Sequence, residues 1–232
     1  RSQGRPAREM TEETHREPVM DNGAHPDDPE FGCAATIAKW AGQGRQIDYV
    51  LLTSGDKGCH DPAKRPGEVA AMREVEQRAA AQALGVRSVK FLHYPDGMLE
   101  NTLEVRRHLC GLIRRRKPDI VVTIDPWRRY QLHPDHRAAG MVALDAVISA
   151  REWYIFPEQL VNDEPWRVQE VYLFWTDQPD YWEDVTESID LRIRALMQHN
   201  SQVGTRGDGL AQRIREGAQK TGEAQGYAYA EA

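Results

Sequence analysis

Two short segments carry the residues best suited to chemistry, and both contain the tripeptide His-Pro-Asp. The first segment is His25-Pro26-Asp27-Asp28, and the second is His133-Pro134-Asp135-His136. Together they supply three imidazoles and three carboxylates. These groups are typical zinc ligands, and a catalytic zinc site uses three protein ligands and leaves one position for water. The two segments therefore predict a shared catalytic metal site.

Three of these side chains form a ligand set of two imidazoles and one carboxylate, namely His25, Asp28 and His136. Zn²⁺ suits this set, although Fe²⁺ accepts the same ligands. We expect one divalent ion per chain. Asp27 then remains free as a general base, and Asp135 is available to orient an imidazole through its ring N–H. The alternative is that Asp28 and Asp135 only cap the helices that follow.

The elements that must position these residues alternate between strands and helices. Asp21 and Asn22 interrupt the first apolar run, so the first strand is weakly predicted. Asp28 is the expected N-cap of the first helix, with Pro29 at its first helical position. The predicted strands cover 18–20, 47–53, 88–92, 119–125 and 168–175, and the predicted helices cover 29–43, 68–84, 103–117, 134–150 and 186–199.

This alternation predicts an α/β fold with a Rossmann-like, mostly parallel sheet flanked by helices. In such folds ligands bind at the carboxyl ends of strands, where the strand order reverses. We expect the strand order 3-2-1-4-5, which makes strands one and four neighbours. His25 follows strand one and His133 follows strand four, so this order brings the two motifs together.

Composition argues against nucleic-acid-binding, membrane-spanning and disulfide-bonded proteins. A net charge of −6 argues against a non-specific nucleic-acid binder, because such binding depends on basic patches. No apolar run is long enough to span a bilayer, so no membrane partner is expected. Cys33, Cys59 and Cys110 are odd in number and lack C-x-x-C spacing, which indicates reduced thiols in a cytoplasmic protein.

The chain resembles the LmbE-like, or PIG-L, family of zinc-dependent N-acetylglucosaminyl deacetylases. Both His-Pro-Asp motifs carry this resemblance, in this order along the chain. Weaker support comes from segments 53–56, 95–97 and 199–202, and from Arg73 ahead of segment 84–86. The similarity runs from about residue 18 to 202. It leaves a flexible N-terminal arm at 1–17 and a C-terminal extension at 203–232, which is expected to be helical or partly disordered.

The resemblance implies the metal ligands given above and makes Asp27 the general base. It implies that His133 stabilises the oxyanion and protonates the leaving amine. Asp135 would then hold the imidazole of His133.

Five further residues are candidates for substrate binding. The resemblance matches Asp56, Arg73 and Asp96 to positions that contact the sugar in relatives. Trp127 and Arg128 are candidates on chemical grounds, because aromatic rings stack on sugars and arginine pairs with anionic groups. The alternative for these last two residues is ordinary loop packing.

The implied function is metal-dependent removal of the N-acetyl group from an N-acetylglucosamine-type substrate, with release of acetate. One alternative is an amidase that acts on a larger sugar-amide conjugate. Another is a non-catalytic, metal-dependent sugar-binding protein, which would tolerate loss of Asp27 and His133, yet both are present. Members of the family include homo-oligomers, so a homo-oligomer is expected here.

Overall fold

The computed structural model describes residues 17–59, 61–204 and 207–232. The strands are β1 (Val19–Gly23), β2 (Ile47–Thr53), β3 (Ser88–Tyr94), β4 (Ile120–Ile124), β5 (Glu170–Phe174), β6 (Glu183–Asp184) and β7 (Ala230–Glu231). The helices are α1 (Asp28–Gly32), α2 (Ala34–Gly42), α3 (Pro66–Leu84), α4 (Leu103–Arg116), α5 (Pro134–Ala150), α6 (Ile189–Leu196), α7 (Asn200–Val203) and α8 (Gly207–Glu223), with a 3₁₀ helix at Pro157–Val161. The arm predicted at 1–17 lies outside the described residues except for Glu17, which pairs with Arg45 at 3.2 Å.

The central sheet has five parallel strands in the order β3-β2-β1-β4-β5, as predicted. Val19 of β1 pairs with Ile47 on one side and with Ile120 on the other. The helices cover both faces of this sheet, so β1, β2 and β4 are buried along their whole length. The strand order therefore places the ends of β1 and β4 side by side.

The polar residues of β1 do not interrupt the strand, contrary to the sequence expectation. Asp21 and Asn22 are both buried within it. Burial raises the pKa of Asp21 to about 8, and its Oδ2 accepts the Cys33 thiol at 3.1 Å. The Asn22 carbonyl accepts the Thr123 hydroxyl at 2.9 Å. The Asn22 side-chain amide donates to the Ala139 carbonyl at 3.5 Å, and Asp21 stays protonated at neutral pH, so the central strand accommodates both side chains.

The single helix predicted at 29–43 is wrong, because the chain forms α1 and α2 with a break at Cys33. The Cys33 N–H still bonds to the Pro29 carbonyl, but its φ of −138° is not helical. The expected N-cap is also wrong by one residue: Asp27 is the N-cap of α1, and Asp28 is its first residue. Gly32 packs against the Phe174 ring, where an added Cβ would lie 2.3 Å from a ring carbon.

The C-terminal segment packs against the domain rather than extending from it. The predicted extension at 203–232 includes α8 and β7, and β7 pairs antiparallel with β6. The buried Glu231 carboxylate accepts the Ala35 and Thr36 N–H groups and pairs with Arg192 at 2.8 Å. A second apolar cluster lies beneath this segment, formed by Ala35, Val185, Ile189, Ile193, Leu196, Val203, Ile214 and Ala218. Within the described residues, no helix has the length and apolarity that crossing a membrane requires.

Candidate active site

The two His-Pro-Asp motifs meet at the carboxyl ends of β1 and β4. His25 lies two residues after β1, and His136 lies in the first turn of α5, which follows β4. His25 Nδ1 and His136 Nε2 are 3.2 Å apart. The sheet thus joins side chains that are 111 residues apart in sequence.

The three predicted metal ligands lie close together. His136 Nε2 lies 3.1 Å from Asp28 Oδ1, and His25 Nδ1 lies 3.6 Å from Asp28 Oδ2. Metal bonds of about 2.0–2.1 Å at tetrahedral angles place ligand atoms about 3.3 Å from one another. The distances from His25 and His136 to the Asp28 carboxylate are therefore compatible with a divalent metal ion.

Backbone groups hold the Asp28 carboxylate in place. Its Oδ2 accepts the N–H groups of Ala24 and His25, each at 2.8 Å. Burial alone would raise the pKa of Asp28, but hydrogen bonds with His136 and His25 hold the pKa below its usual range. The carboxylate is therefore ionised and oriented, as a metal ligand must be.

Two carboxylates face the other nitrogen of His25. Asp135 Oδ2 and Asp96 Oδ1 each lie 3.1 Å from His25 Nε2. A proton on Nε2 satisfies these acceptors and leaves the Nδ1 lone pair free for a metal. The resemblance pairs Asp135 with His133, whereas the structure pairs it with His25. Asp135 is fully buried in the first turn of α5, while His133 precedes that helix and is exposed.

His133 lies beside the predicted ligands. Its ring centroid is 4.6 Å from that of His136 and 4.7 Å from that of His25. Partial desolvation of the ring lowers the pKa of His133, and the neighbouring imidazoles lower it further. Among the described residues, two groups have ligand atoms that all lie within 4.8 Å of one another, namely His25 with His133 and His136, and His25 with Asp96 and Asp135.

Asp27 lies next to this cluster in a strained backbone conformation. Its φ of 88° and ψ of −19° are in the left-handed region, which residues other than glycine adopt infrequently and at a cost. Its Oδ1 is 3.3 Å from Arg73 Nη2. Burial raises the pKa of Asp27 to about 7, against the opposing effect of the Arg73 charge. A carboxylate with this pKa suits a general base near neutral pH.

Arg73 reaches this position because Gly55 leaves room for it. A Cβ at Gly55 would lie 2.1 Å from Arg73 Nη1, and the Gly55 φ of +62° also favours glycine. Arg73 Nη1 donates to the Gly55 carbonyl at 3.0 Å, and Nη2 donates to the Pro26 carbonyl at 2.7 Å. The guanidinium therefore joins the loop after β2 to the first motif.

A cavity of about 540 Å³ opens over the cluster, and it includes two of the five predicted substrate contacts, Arg73 and Asp96. Asp56 lies behind this cavity, where its Oδ1 accepts the Asp96 N–H at 3.3 Å. Trp127 and Arg128 are exposed and do not line it. The backbone N–H of Trp127 donates to Asp125 Oδ1 at 2.8 Å, and both residues line a separate cavity beside β5.

Comparison with known families agrees with this geometry. The sequence profile of the family described as "PIG-L: GlcNAc-PI de-N-acetylase" matches residues 22–147, which contain both motifs. The chain belongs to the PIG-L, or LmbE-like, family. The resemblance stated from the two motifs is thereby confirmed.

Individual members of the PIG-L family match over longer stretches. The diacetylchitobiose deacetylase of Thermococcus kodakarensis is 35% identical over 179 residues, which are 77% of this chain and 67% of that protein. A 1D-myo-inositol 2-acetamido-2-deoxy-alpha-D-glucopyranoside deacetylase of Catenulispora acidiphila is 31% identical over 68% of this chain and 54% of its own length. The structure of N,N'-diacetylchitobiose deacetylase from Pyrococcus horikoshii with an inhibitor superposes with a TM-score of 0.89, at 32% identity, over 93% of this chain and 82% of that one.

Four further side chains line the cavity and were not predicted as site residues from the sequence: Phe31, Lys57, Trp175 and Gln202. Trp175 follows β5 with a φ of 59°, and its ring centroid is 5.1 Å from that of His136. The rule that ligands bind at the carboxyl ends of strands identifies Trp175 and Lys57, because both follow strands. Phe31 carries no such signal, since it lies in a short helix.

Proposed function

We propose that this protein is a zinc-dependent hydrolase that removes the N-acetyl group from an N-acetylglucosamine-type sugar and releases acetate. The observation that carries this proposal is the ligand triangle of His25, Asp28 and His136 with Asp27 beside it, in a member of a de-N-acetylase family. The names of its relatives support an acetylated amino sugar as substrate.

Each residue of the cluster has a role in this reaction. A bound Zn²⁺ would polarise the amide carbonyl and acidify a water molecule. Asp27 lines the cavity and accepts the proton of the attacking water. His133 lines the same cavity, stabilises the negative charge that develops on the amide oxygen and protonates the leaving amine. Asp135 orients His25 from the side away from the metal.

Arg73 and Asp96 are the proposed contacts with the sugar, because both side chains line the cavity. Asp56 supports Asp96 through its backbone N–H. Trp127 and Arg128 do not line this cavity, and their contact with the sugar stays a prediction.

The decisive experiment measures acetate release from a panel of N-acetylglucosamine, diacetylchitobiose and larger N-acetylated sugar conjugates. The purified protein is assayed as isolated, after chelation, and after return of Zn²⁺ or Fe²⁺. We expect about one metal ion per chain and turnover that is lost on chelation and restored by metal. Asp28→Asn serves as the control that lacks a metal ligand. Sugar binding without turnover in any metal form would instead support the non-catalytic alternative.

Three further features stay predictions. Cys33, Cys59 and Cys110 are free thiols in the structure, which supports a cytoplasmic location. A homo-oligomer is expected from the family. No nucleic-acid partner is expected, because the net charge is −6.

A further inference from the structure

A chain of buried polar side chains leads from Asp27 away from the cavity. Gln77 Oε1 accepts the Asp27 N–H at 2.8 Å, and Gln77 Nε2 donates to both Glu30 oxygens at 3.1 Å. His199 Nε2 lies 3.1 Å from Glu30 Oε2. Gln77, Glu30 and His199 are all 0% exposed, and none is among the described residues that line the cavity. These three side chains therefore do not contact substrate.

The end of this series nearest Asp27 acts on a single peptide group. The bond between Pro26 and Asp27 has its carbonyl held by Arg73 Nη2 at 2.7 Å and its N–H held by Gln77 Oε1 at 2.8 Å. Arg73 and Gln77 are four residues apart, so they lie one turn apart on the same face of α3. One helix therefore fixes both polar groups of the peptide that precedes the Asp27 side chain.

The hydrogen bonds between these side chains explain why each of the residues is polar. Position 77 must accept from the Asp27 N–H and donate to Glu30, and a glutamine amide does both. Glu30 fixes which end of that amide faces Asp27, and His199 occupies one Glu30 oxygen. A buried carboxylate among polar side chains is costly compared with apolar packing. This cost is offset at Asp27, because the hydrogen-bonded side chains stabilise its backbone at a φ of 88°.

We propose that Gln77, Glu30 and His199 are positioning residues, which together with Arg73 clamp the Pro26–Asp27 peptide and aim the Asp27 carboxylate. This inference rests on the proposed role of Asp27 as general base. Loosening the clamp misplaces the base, so it lowers kcat and leaves metal content and KM near their wild-type values. Misplacement of a reacting group by about 1 Å can cost roughly 10²-fold in rate.

The test uses the full chain loaded with Zn²⁺. Gln77→Leu removes both hydrogen-bonding functions of the amide, and Gln82→Leu makes the same substitution at an exposed position of the same helix. We expect Gln77→Leu to lower kcat by roughly 10²-fold, with KM and bound metal within about twofold of wild type, and Gln82→Leu to match wild type. Wild-type kcat in Gln77→Leu, or loss of metal in parallel with activity, would overturn the proposal.

His199 provides a second, independent arm. His199→Phe keeps a ring but cannot donate to Glu30, whereas His199→Gln keeps a donor. We expect kcat to fall by about tenfold in His199→Phe and to stay within about threefold of wild type in His199→Gln. The double variant Gln77→Leu/His199→Phe should be no slower than Gln77→Leu, because both substitutions act through the same series of hydrogen bonds to Asp27. Fully additive losses would overturn the proposal.

Hydrogen exchange at the Asp27 amide tests the clamp without any turnover. In wild type the Gln77 acceptor protects this N–H, so its exchange should be slow, and Gln77→Leu should speed it by at least about tenfold. Unchanged exchange would overturn the clamp. If the wild-type protein releases acetate from no substrate while the exchange result holds, the proposed function fails and the clamp stands.

Discussion

The carboxylate of Asp135, in the second His-Pro-Asp motif, lies 3.1 Å from Nε2 of His25, in the first. Its Oδ2 also accepts the Gly97 N–H at 2.7 Å, and its Oδ1 accepts the Leu99 N–H at 3.1 Å. The loop after β3 therefore fixes Asp135. Asp135 then orients the His25 imidazole, so that its Nδ1 faces the other predicted ligand atoms. The two motifs depend on each other even before a metal binds.

Asp135→Asn should weaken metal binding. Both Asp135 oxygens accept backbone N–H groups, so the amide of asparagine must turn its own NH₂ toward one of these donors. The His25 ring then loses its orientation, and we expect metal affinity to fall by roughly 10–100-fold. Competition with a chelator of known affinity measures the change.

Asp145→Asn is the matched control, because Asp145 lies on the same helix and its side chain is partly exposed at 43%. Its metal affinity should equal that of wild type. Equal affinities for Asp135→Asn and wild type would show that His25 is oriented by Asp96 alone.

The adjacent carboxylates Asp27 and Asp28 should separate catalysis from metal binding. Asp28 contacts the imidazoles of His25 and His136. Asp27 instead contacts Arg73 on the cavity wall. Asp27→Asn should keep the metal and lose about 10²–10⁴-fold in kcat, because only basicity is removed. Asp28→Asn should lose metal as well as activity. Metal analysis with steady-state kinetics distinguishes them, and the reverse pattern would mean that the two roles are exchanged.

Arg73→Lys should impair activity without loss of metal. Lysine keeps the charge, but its single ammonium cannot contact the Gly55 carbonyl, the Pro26 carbonyl and the Asp27 carboxylate together. We expect kcat/KM to fall by roughly 10–100-fold. Arg78→Lys, at a half-exposed position five residues further along α3, is the control and should match wild type. A rise in KM alone would favour sugar binding by Arg73, and a fall in kcat alone would favour its role in the clamp.

The meeting of the two motifs is predictable from the sequence because it depends on a general rule. The carboxyl ends of parallel strands lie at one edge of a sheet. The order β3-β2-β1-β4-β5 makes β1 and β4 adjacent, and these are the strands that precede His25 and His136. The periodic patterns also predict β2 and α5 with their observed ends. Such features arise from backbone topology and burial, which sequence patterns reflect directly.

Other parts of the site depend on single tertiary contacts that spacing does not encode. Trp127 does not line the cavity, and its backbone N–H donates to Asp125 Oδ1. The clamp on Asp27 combines Glu30, Gln77 and His199 from three distant parts of the chain, and none has a local signal for that role. The hydrogen-bond partner of Asp135 likewise follows from how α5 packs against β1.

The last prediction concerns Asp21 in β1, whose pKa burial raises to about 8 from an ordinary value of 3.8. Between these values the folded protein holds a proton that the unfolded chain has released. Rising pH therefore lowers the free energy of unfolding, by about 1.4 kcal/mol per pH unit from this group. Asparagine is neutral in both states, so Asp21→Asn removes this slope.

Urea denaturation at pH 5, 6 and 7 should show the stability of Asp21→Asn rising relative to wild type as the pH increases. The pH dependence of metal binding is shared by both proteins, so it cancels in the difference. Asp180→Asn removes an exposed carboxylate and should give a difference that is independent of pH. The Cys33 thiol can still donate to the asparagine carbonyl oxygen, so the contact at 3.1 Å need not be lost. A constant difference for Asp21→Asn would mean that Asp21 is already ionised in the folded sheet.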